Sequence, residues 1–220
     1  MPQAIILSGT GRYSDPWHPF AQTTPLLHTL AHDSGWEVDT AGDIDSFLAS
    51  DFTEVDLLIV NAGTSADTPA EDPGVIERGR ANLAGALERG ISVLALHCAA
   101  NSLRDYPEFR QALGGEWVPG HSWHPELAEI HVRCLHDEIV EGLSDFHVTD
   151  ERYTDLVIDK DVEPLASTHD DERRYVLAWA NQWGTSRLIY DALGHDTRSY
   201  DSQGHRCFLR RALSWLLPRG

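Results

Sequence analysis

Two side chains able to move protons or attack a carbonyl, His97 and Cys98, follow the burial-competent run Ile91-Ser92-Val93-Leu94-Ala95-Leu96. An imidazole, with an unperturbed pKa of about 6.5, serves as general acid or base and, when neutral, ligates divalent metals such as zinc. A thiol is a nucleophile only where a base and an oxyanion pocket face it; otherwise it packs as a small hydrophobe. Cys98 is expected to do the latter, beneath the site. A second histidine, His195, follows Leu193-Gly194 and precedes Asp196. Adjacent side chains of a strand face opposite ways, so the carboxylate partner of His195 is expected from elsewhere in the chain. The stretch His121-Ser122-Trp123-His124-Pro125 has an i, i+3 pair of histidines, but Gly120 and Pro125 argue against the helix that would give this spacing a metal-binding geometry. Of the two, His121 is the preferred ligand contact. Trp17 and Trp123 stand in irregular segments where a sugar can lay its C–H groups on an indole face. Arg12 and Tyr13 are further ligand candidates.

These residues need elements to hold them. The run ending at Leu96 reads as a central parallel strand, because it is short, apolar and preceded by the helix-ending Arg89-Gly90. His97 then leaves the carboxyl end of a strand, where open α/β sheets bind their ligands. Residues 4–8 form a first strand opening into the glycine-containing turn Gly9-Thr10-Gly11-Arg12-Tyr13-Ser14, which lacks the spacing of a phosphate loop or dinucleotide fingerprint. A helix is expected to open at Pro25, followed by a short edge strand over 36–40 and a buried strand over 55–61. Residues 73–89 have helix-period apolar positions and read as a crossover helix. Beyond His97 come a helix from Pro107 to the Gly114-Gly115 stop, an irregular segment 117–127, and short strands over 130–135, 156–158, 164–167, 175–180 and 187–190. Gly184 marks a hairpin, and an amphipathic helix closes the chain over 207–217.

The chain of 220 residues has no linker, repeat or charge block, which predicts one domain over 1–220. Its formal net charge of −18 is dispersed and leaves no basic stripe. That pattern argues against nucleic acid and anionic membranes as partners and favours a neutral or cationic small molecule. The start Met1-Pro2-Gln3 lacks a signal-peptide pattern and no segment reaches transmembrane length, so a cytoplasmic protein is expected. Three widely spaced cysteines make neither a disulfide framework nor a zinc ribbon.

Seven pieces of sequence, in one order along nearly the whole chain, resemble the ThuA family of trehalose-utilisation proteins. They are His18-Pro19-Phe20; Ala95-Leu96-His97-Cys98-Ala99; Tyr106-Pro107-Glu108-Phe109 leading through Leu113-Gly114-Gly115 to His121; Thr149-Asp150-Glu151-Arg152-Tyr153; Ala178-Trp179 with Gly184; Arg187 with Tyr190; and Leu193-Gly194-His195-Asp196 with Tyr200. The resemblance implies a flavodoxin-like α/β fold of the class I glutamine amidotransferase type, a three-layer sandwich around a central, mostly parallel sheet. It also implies a link to the catabolism of disaccharides and oxidised (3-keto) sugars. It moves Glu151 into the site beside His97 and His195 as the proton-transfer groups, and adds His18 and Asp196 to the expected sugar contacts. His97 falls where the nucleophilic cysteine of Gly-x-Cys-x-Gly would stand in amidotransferases and Cys98 comes one position late, which argues against a glutaminase. Asp137-Glu138-Ile139 replaces the His-Pro-Ile of many relatives, so His136 receives no role.

Three functions fit these residues. The first is an enzyme acting on a sugar or keto-sugar through His97, His195 and Glu151, with or without a divalent metal held by His97 and His195. The second is a cysteine-dependent amidase or hydrolase using Cys98. The third is a non-catalytic sugar-binding module. A homo-oligomer is compatible with each.

Overall fold

The computed structural model describes residues 1–63, 68–70, 72–170 and 173–218. Its first half alternates strand and helix: β1 (Gln3–Ser8), α1 (Phe20–Asp33), β2 (Glu37–Ala41), α2 (Ile44–Leu48), β3 (Leu57–Asn61), α3 (Pro73–Arg89) and β4 (Ser92–Leu96). β3 and β4 are buried along their whole length, which is why they read as uninterrupted apolar runs rather than alternating ones. The second half runs α4 (Pro107–Leu113), β5 (Gly115–Glu116), β6 (Ala128–Cys134), β7 (Phe146–Asp150), β8 (Val157–Ile158), β9 (Glu163–Asp170), β10 (Arg173–Trp183), β11 (Ser186–Asp191), α5 (Thr197–Asp201) and α6 (Gln203–Trp215).

The main sheet has the order β2-β1-β3-β4-β11-β10-β9-β6-β7, while β5 and β8 pair separately. Strands β2, β1, β3, β4 and β11 are mutually parallel. The remaining pairs are antiparallel, so β9 and β7 again point the same way as the parallel block. The carboxyl ends of β4, β11 and β7 therefore lie at one edge, and they deliver His97, the segment 192–195 and Glu151.

Alternate residues of the strands feed two apolar layers. Ile6, Ile59 and Leu94 pack under α1 and α6 with Leu27, Leu30, Phe208 and Leu213. Ile5, Leu58, Val93 and Ala95 face the other way, toward α2, α3 and α4 with Leu48, Leu83, Leu87 and Phe109. This is the three-layer α/β sandwich the sequence implies. Among the described residues no helix is long and apolar enough to cross a membrane.

Several boundaries differ from the sequence-based expectations. α1 starts at Phe20, so Pro25 lies inside it rather than in its first turn. The carbonyl that Pro25 cannot pair belongs to Ala21, an exposed residue. α6 starts at Gln203, capped by the Ser202 hydroxyl that accepts the His205 amide. β7 was not foreseen, because its last inward position is a charged residue, Asp150. The expected hairpin at Gly184 joins β10 to β11.

Candidate metal and sugar site

β4 ends at Leu96, and the chain turns at once into a 3-10 helix over His97–Asn101. His97 adopts a left-handed backbone with φ of 45°, a conformation costing a non-glycine residue about 1–2 kcal/mol. The turn tips its imidazole over the sheet edge, where it is buried. Its Nδ1 lies 2.7 Å from the Ala192 carbonyl oxygen. A carbonyl only accepts, so Nδ1 carries a proton. The main chain of His97 is held as well, by the Tyr190 hydroxyl donating to its carbonyl at 2.7 Å.

His97 Nε2 faces Glu151 Oε2 at 3.5 Å, and His195 Nδ1 faces the same oxygen at 3.3 Å. His18 completes the group, its ring centroid 4.9 Å from that of His97 and 4.8 Å from that of His195. One ligand atom from each of His18, His97, Glu151 and His195 lies within 4.8 Å of all the others. His97 Nε2, His195 Nδ1 and His18 Nε2 are buried without a hydrogen bond. Ligand atoms that converge while these nitrogens lack hydrogen bonds call for a cation or a shared proton. The separations of 3.3 and 3.5 Å match the edge of a tetrahedron whose arms are about 2.0–2.2 Å, the length of Zn–N and Zn–O bonds.

The supports of these side chains come from distant parts of the chain. Asp150, at the inward end of β7, is 1% exposed and accepts the Gly194 amide at 2.7 Å, the His195 amide at 3.3 Å and the Glu151 amide at 2.8 Å. One buried carboxylate thus ties the segment bearing His195 to the segment bearing Glu151. Gly194 has φ of 118°, in the range that favours glycine, and a Cβ there would stand 3.0 Å from the Tyr200 hydroxyl. His18 sits in a turn in which Asp15 Oδ1 accepts the Trp17 amide at 2.8 Å and approaches His18 Nδ1 at 3.1 Å.

Burial works against charge on Glu151, yet His195 and His97 together hold its carboxyl well below the usual range. Burial likewise disfavours the charged form of His195, but Glu151 outweighs it and raises that imidazole. His18 is lowered, chiefly by burial and further by His97, and a neutral imidazole is the form a metal binds. The Cys98 thiol is pushed well above its ordinary value by burial, and its Sγ is 3.5 Å from the Ala62 carbonyl. A thiol of this kind is a packed core group rather than a thiolate nucleophile.

The other candidate residues are placed differently. Of the two histidines in 121–125, both exposed, it is His124 that reaches the cluster: its Nδ1 is 3.6 Å from Glu151 Oε1. Without a helix the i, i+3 spacing sets no common direction, and only the loop's path decides which ring turns inward. Trp17 is 76% and Trp123 47% exposed; the Trp123 indole donates to Asp155 Oδ2 at 2.9 Å, while Trp17 stands directly beside His18 in sequence. The indole packed nearest the cluster is Trp117, whose ring centroid is 4.5 Å from Tyr153 and 5.9 Å from His124. Tyr153 in turn lies 4.1 Å from the His97 ring. Neither Trp117 nor Tyr153 is among the expected site residues, although Tyr153 stands two residues after Glu151 and its aromatic type is a signal the sequence carries. Arg12 and Tyr13 spend their polar atoms on Asp45 at 2.6 Å each, and Arg12 also reaches Asp105 at 2.7 Å. Asp196 does not follow His195 along a strand, so the opposite-face argument does not apply to the pair: Asp196 caps α5 by accepting the Arg198 amide at 2.8 Å. The carboxylate facing His195 is Glu151, from 44 residues earlier in the chain.

The fold is similar to that of class I glutamine amidotransferase-like proteins. A glutamine amidotransferase from Thermotoga maritima superposes with a TM-score of 0.59 at 9% identity, covering 99% of each chain. Greater similarity is seen with a ThuA-like protein from Parabacteroides merdae (TM-score 0.79, 18% identity, 98% of this chain and 90% of that one). A ThuA-like protein from Bacteroides uniformis follows at 0.74 and 20% identity, covering 98% and 91%. At the sequence level no curated protein matches the chain. The profile of the ThuA family, described as trehalose utilisation, matches residues 3–216, and the chain belongs to that family.

Proposed function

We propose that this protein acts on a sugar or 3-keto-sugar in carbohydrate catabolism, at a divalent metal held by His18, His97, Glu151 and His195. The observation that carries the reading is the convergence of four ligand atoms from four separate segments, with buried imidazole nitrogens that lack a hydrogen bond. Such an ion acts as a Lewis acid on a hydroxyl or carbonyl oxygen. The chain's own groups supply the rest. His124, 38% exposed in its side chain and facing the outer oxygen of Glu151, stands where a substrate proton would be exchanged. Trp117, partly exposed and backed by buried Tyr153, offers an indole face suited to the C–H face of a sugar ring. A cysteine hydrolase is disfavoured by the buried, protonated thiol of Cys98.

The test is metal binding and turnover in the same preparation. Zinc or manganese added to chelator-treated protein at about 100 times its dissociation constant stabilises the fold by about 2.7 kcal/mol, which for a chain of this size is a rise of roughly 5–10 °C in melting temperature. The rise is expected to vanish in His97→Ala and in Glu151→Gln, and both variants are expected to lose turnover of a 3-keto-glycoside. An equal shift in His97→Ala, or wild-type turnover by it, rejects the assignment.

A further inference from the structure

Behind the cluster lies a second histidine–carboxylate pair that the chemistry above does not use. His205, on α6, and Asp191, the last residue of β11, are both fully buried, and His205 Nε2 is 2.8 Å from Asp191 Oδ2. His205 Nδ1 is 3.0 Å from the Ser199 carbonyl oxygen and 2.9 Å from its hydroxyl. The carbonyl accepts and never donates, whereas the hydroxyl does either; with the carbonyl as its partner, Nδ1 carries a proton. Nε2 faces a carboxylate whose other oxygen already accepts the Leu193 amide at 3.0 Å. Both nitrogens of His205 thus point at acceptors, the pattern of an imidazolium.

The Leu193 amide bond to Asp191 closes a turn. That turn places the Ala192 carbonyl against His97 Nδ1 at 2.7 Å and leads through Gly194 into His195. Two candidate ligands thus take their orientation from one turn, and the turn takes its shape from Asp191. We infer that His205 and Asp191 form a buried imidazolium–carboxylate pair that serves as a positioning device, fixing the 191–195 turn so that His97 keeps its Nδ1–H tautomer and His195 keeps its place in the cluster. Asp191 holds the turn; His205 holds Asp191 by charge and direction; Ser199 holds His205. The raised position of His205, where the nearby Asp191 overcomes the effect of burial, agrees with this. None of the three touches the cluster, so their effect is through geometry. The inference rests on the proposed site only for its metal readout.

Two measurements test it. In wild-type protein labelled with 15N histidine, long-range proton–nitrogen spectra at pH 8 are expected to show one imidazole with both nitrogens protonated, absent from His205→Gln. They are also expected to show His97 as the Nδ1–H tautomer. A neutral His205 at pH 8 overturns the ion pair, whatever the protein does with metal. The second measurement is zinc affinity. Loss of an outer partner of a ligating histidine costs roughly 10–100-fold in affinity. A loss of at least tenfold is expected in His205→Gln, with mixed His97 tautomers in its spectrum. Removing one partner of a buried pair can unfold a protein, so the double variant Asp191→Asn/His205→Gln, which buries no charge, is measured alongside and is expected to show the same loss. Leu48→Ala, a core truncation on the opposite face of the sheet, controls for lost stability and is expected to keep zinc affinity. Unchanged zinc affinity and His97 tautomer in the folded double variant overturns the positioning role. If wild type binds no zinc, the proposed metal site fails while the tautomer measurement still decides the inference.

Discussion

At the scale of single residues, the adjacent pair His97 and Cys98 shows how backbone direction assigns chemistry. His97 pays for a left-handed φ and gains a place over the strand ends, while Cys98, the next residue, points into the core. Burial raises the thiol, so only a minute fraction is thiolate near neutral pH. Iodoacetamide at pH 7.5 is therefore expected to alkylate Cys98 only after unfolding, with Cys134 and Cys207, both partly exposed, labelled first in the native state. Rapid stoichiometric labelling of Cys98 in folded protein, read by peptide mass spectrometry, would show a thiolate the structure does not support. Cys98→Ala is expected to keep metal binding, since the sulfur makes one weak contact with the Ala62 carbonyl.

At the scale of elements, the β6–β7 hairpin decides whether Glu151 reaches the cluster. It is held by α6 at a point of close approach: a Cβ on Gly204 would stand 2.2 Å from Phe146 Cβ. Gly204→Ala therefore sets two effects against each other. Alanine is favoured over glycine in a helix by about 1 kcal/mol, but the clash with a β-carbon cannot be relieved by rotating a side chain, and overpacking of this kind costs about 1–3 kcal/mol. The expected outcome is net destabilisation in a denaturant melt, with weakened zinc binding because the hairpin carries Asp150 and Glu151. A more stable Gly204→Ala protein would mean that α6 and β7 are not seated this closely.

At the scale of the whole molecule, charge and titration set the conditions of stability. A net charge of −18 makes the compact state repel itself, and salt screens that repulsion. Raising sodium chloride from 20 to 200 mM is expected to raise the melting temperature; a fall would mean that favourable ion pairs dominate. The alkaline side is shaped by His205, whose folded pKa lies above its unfolded value of about 6.5. Its contribution is fully present below that unfolded value and is lost as pH rises through the folded one. The acid side includes Asp45, a half-buried carboxylate that burial would raise but that Arg12, Tyr13 and Tyr106 hold below its ordinary value. Its contribution is present above about pH 3.9 and is lost as pH falls through the folded value. Denaturant melts from pH 3 to 10 are expected to show the alkaline decline flattened in the double variant Asp191→Asn/His205→Gln and the acid decline flattened in Asp45→Asn.

Local signals carried much of the architecture. The helix over Pro73–Arg89, with proline at its start and left-handed Gly90 at its end, is legible because capping and 3.6-residue periodicity depend on near neighbours alone. So is the buried run that places His97 at a strand end, and so is the thiol beside it, since both follow from apolar runs and chain direction. The partner of His195 does come from elsewhere, though not by the opposite-face argument, because His195 lies beyond the end of β11. What only the tertiary structure decided is which groups meet. Glu151 reaches His97 because β7 folds back beneath α6 and Asp150 stitches it to Gly194, a contact across 44 residues. His124 turns inward rather than His121 because an irregular loop has no period from which a side-chain direction can be read. The tautomer of His97 is set by a carbonyl 95 residues away, and that carbonyl by a pair buried behind it. Periodicity is a property of a segment, whereas the direction of a lone pair is a property of packing between segments, and a chemical site depends on the second.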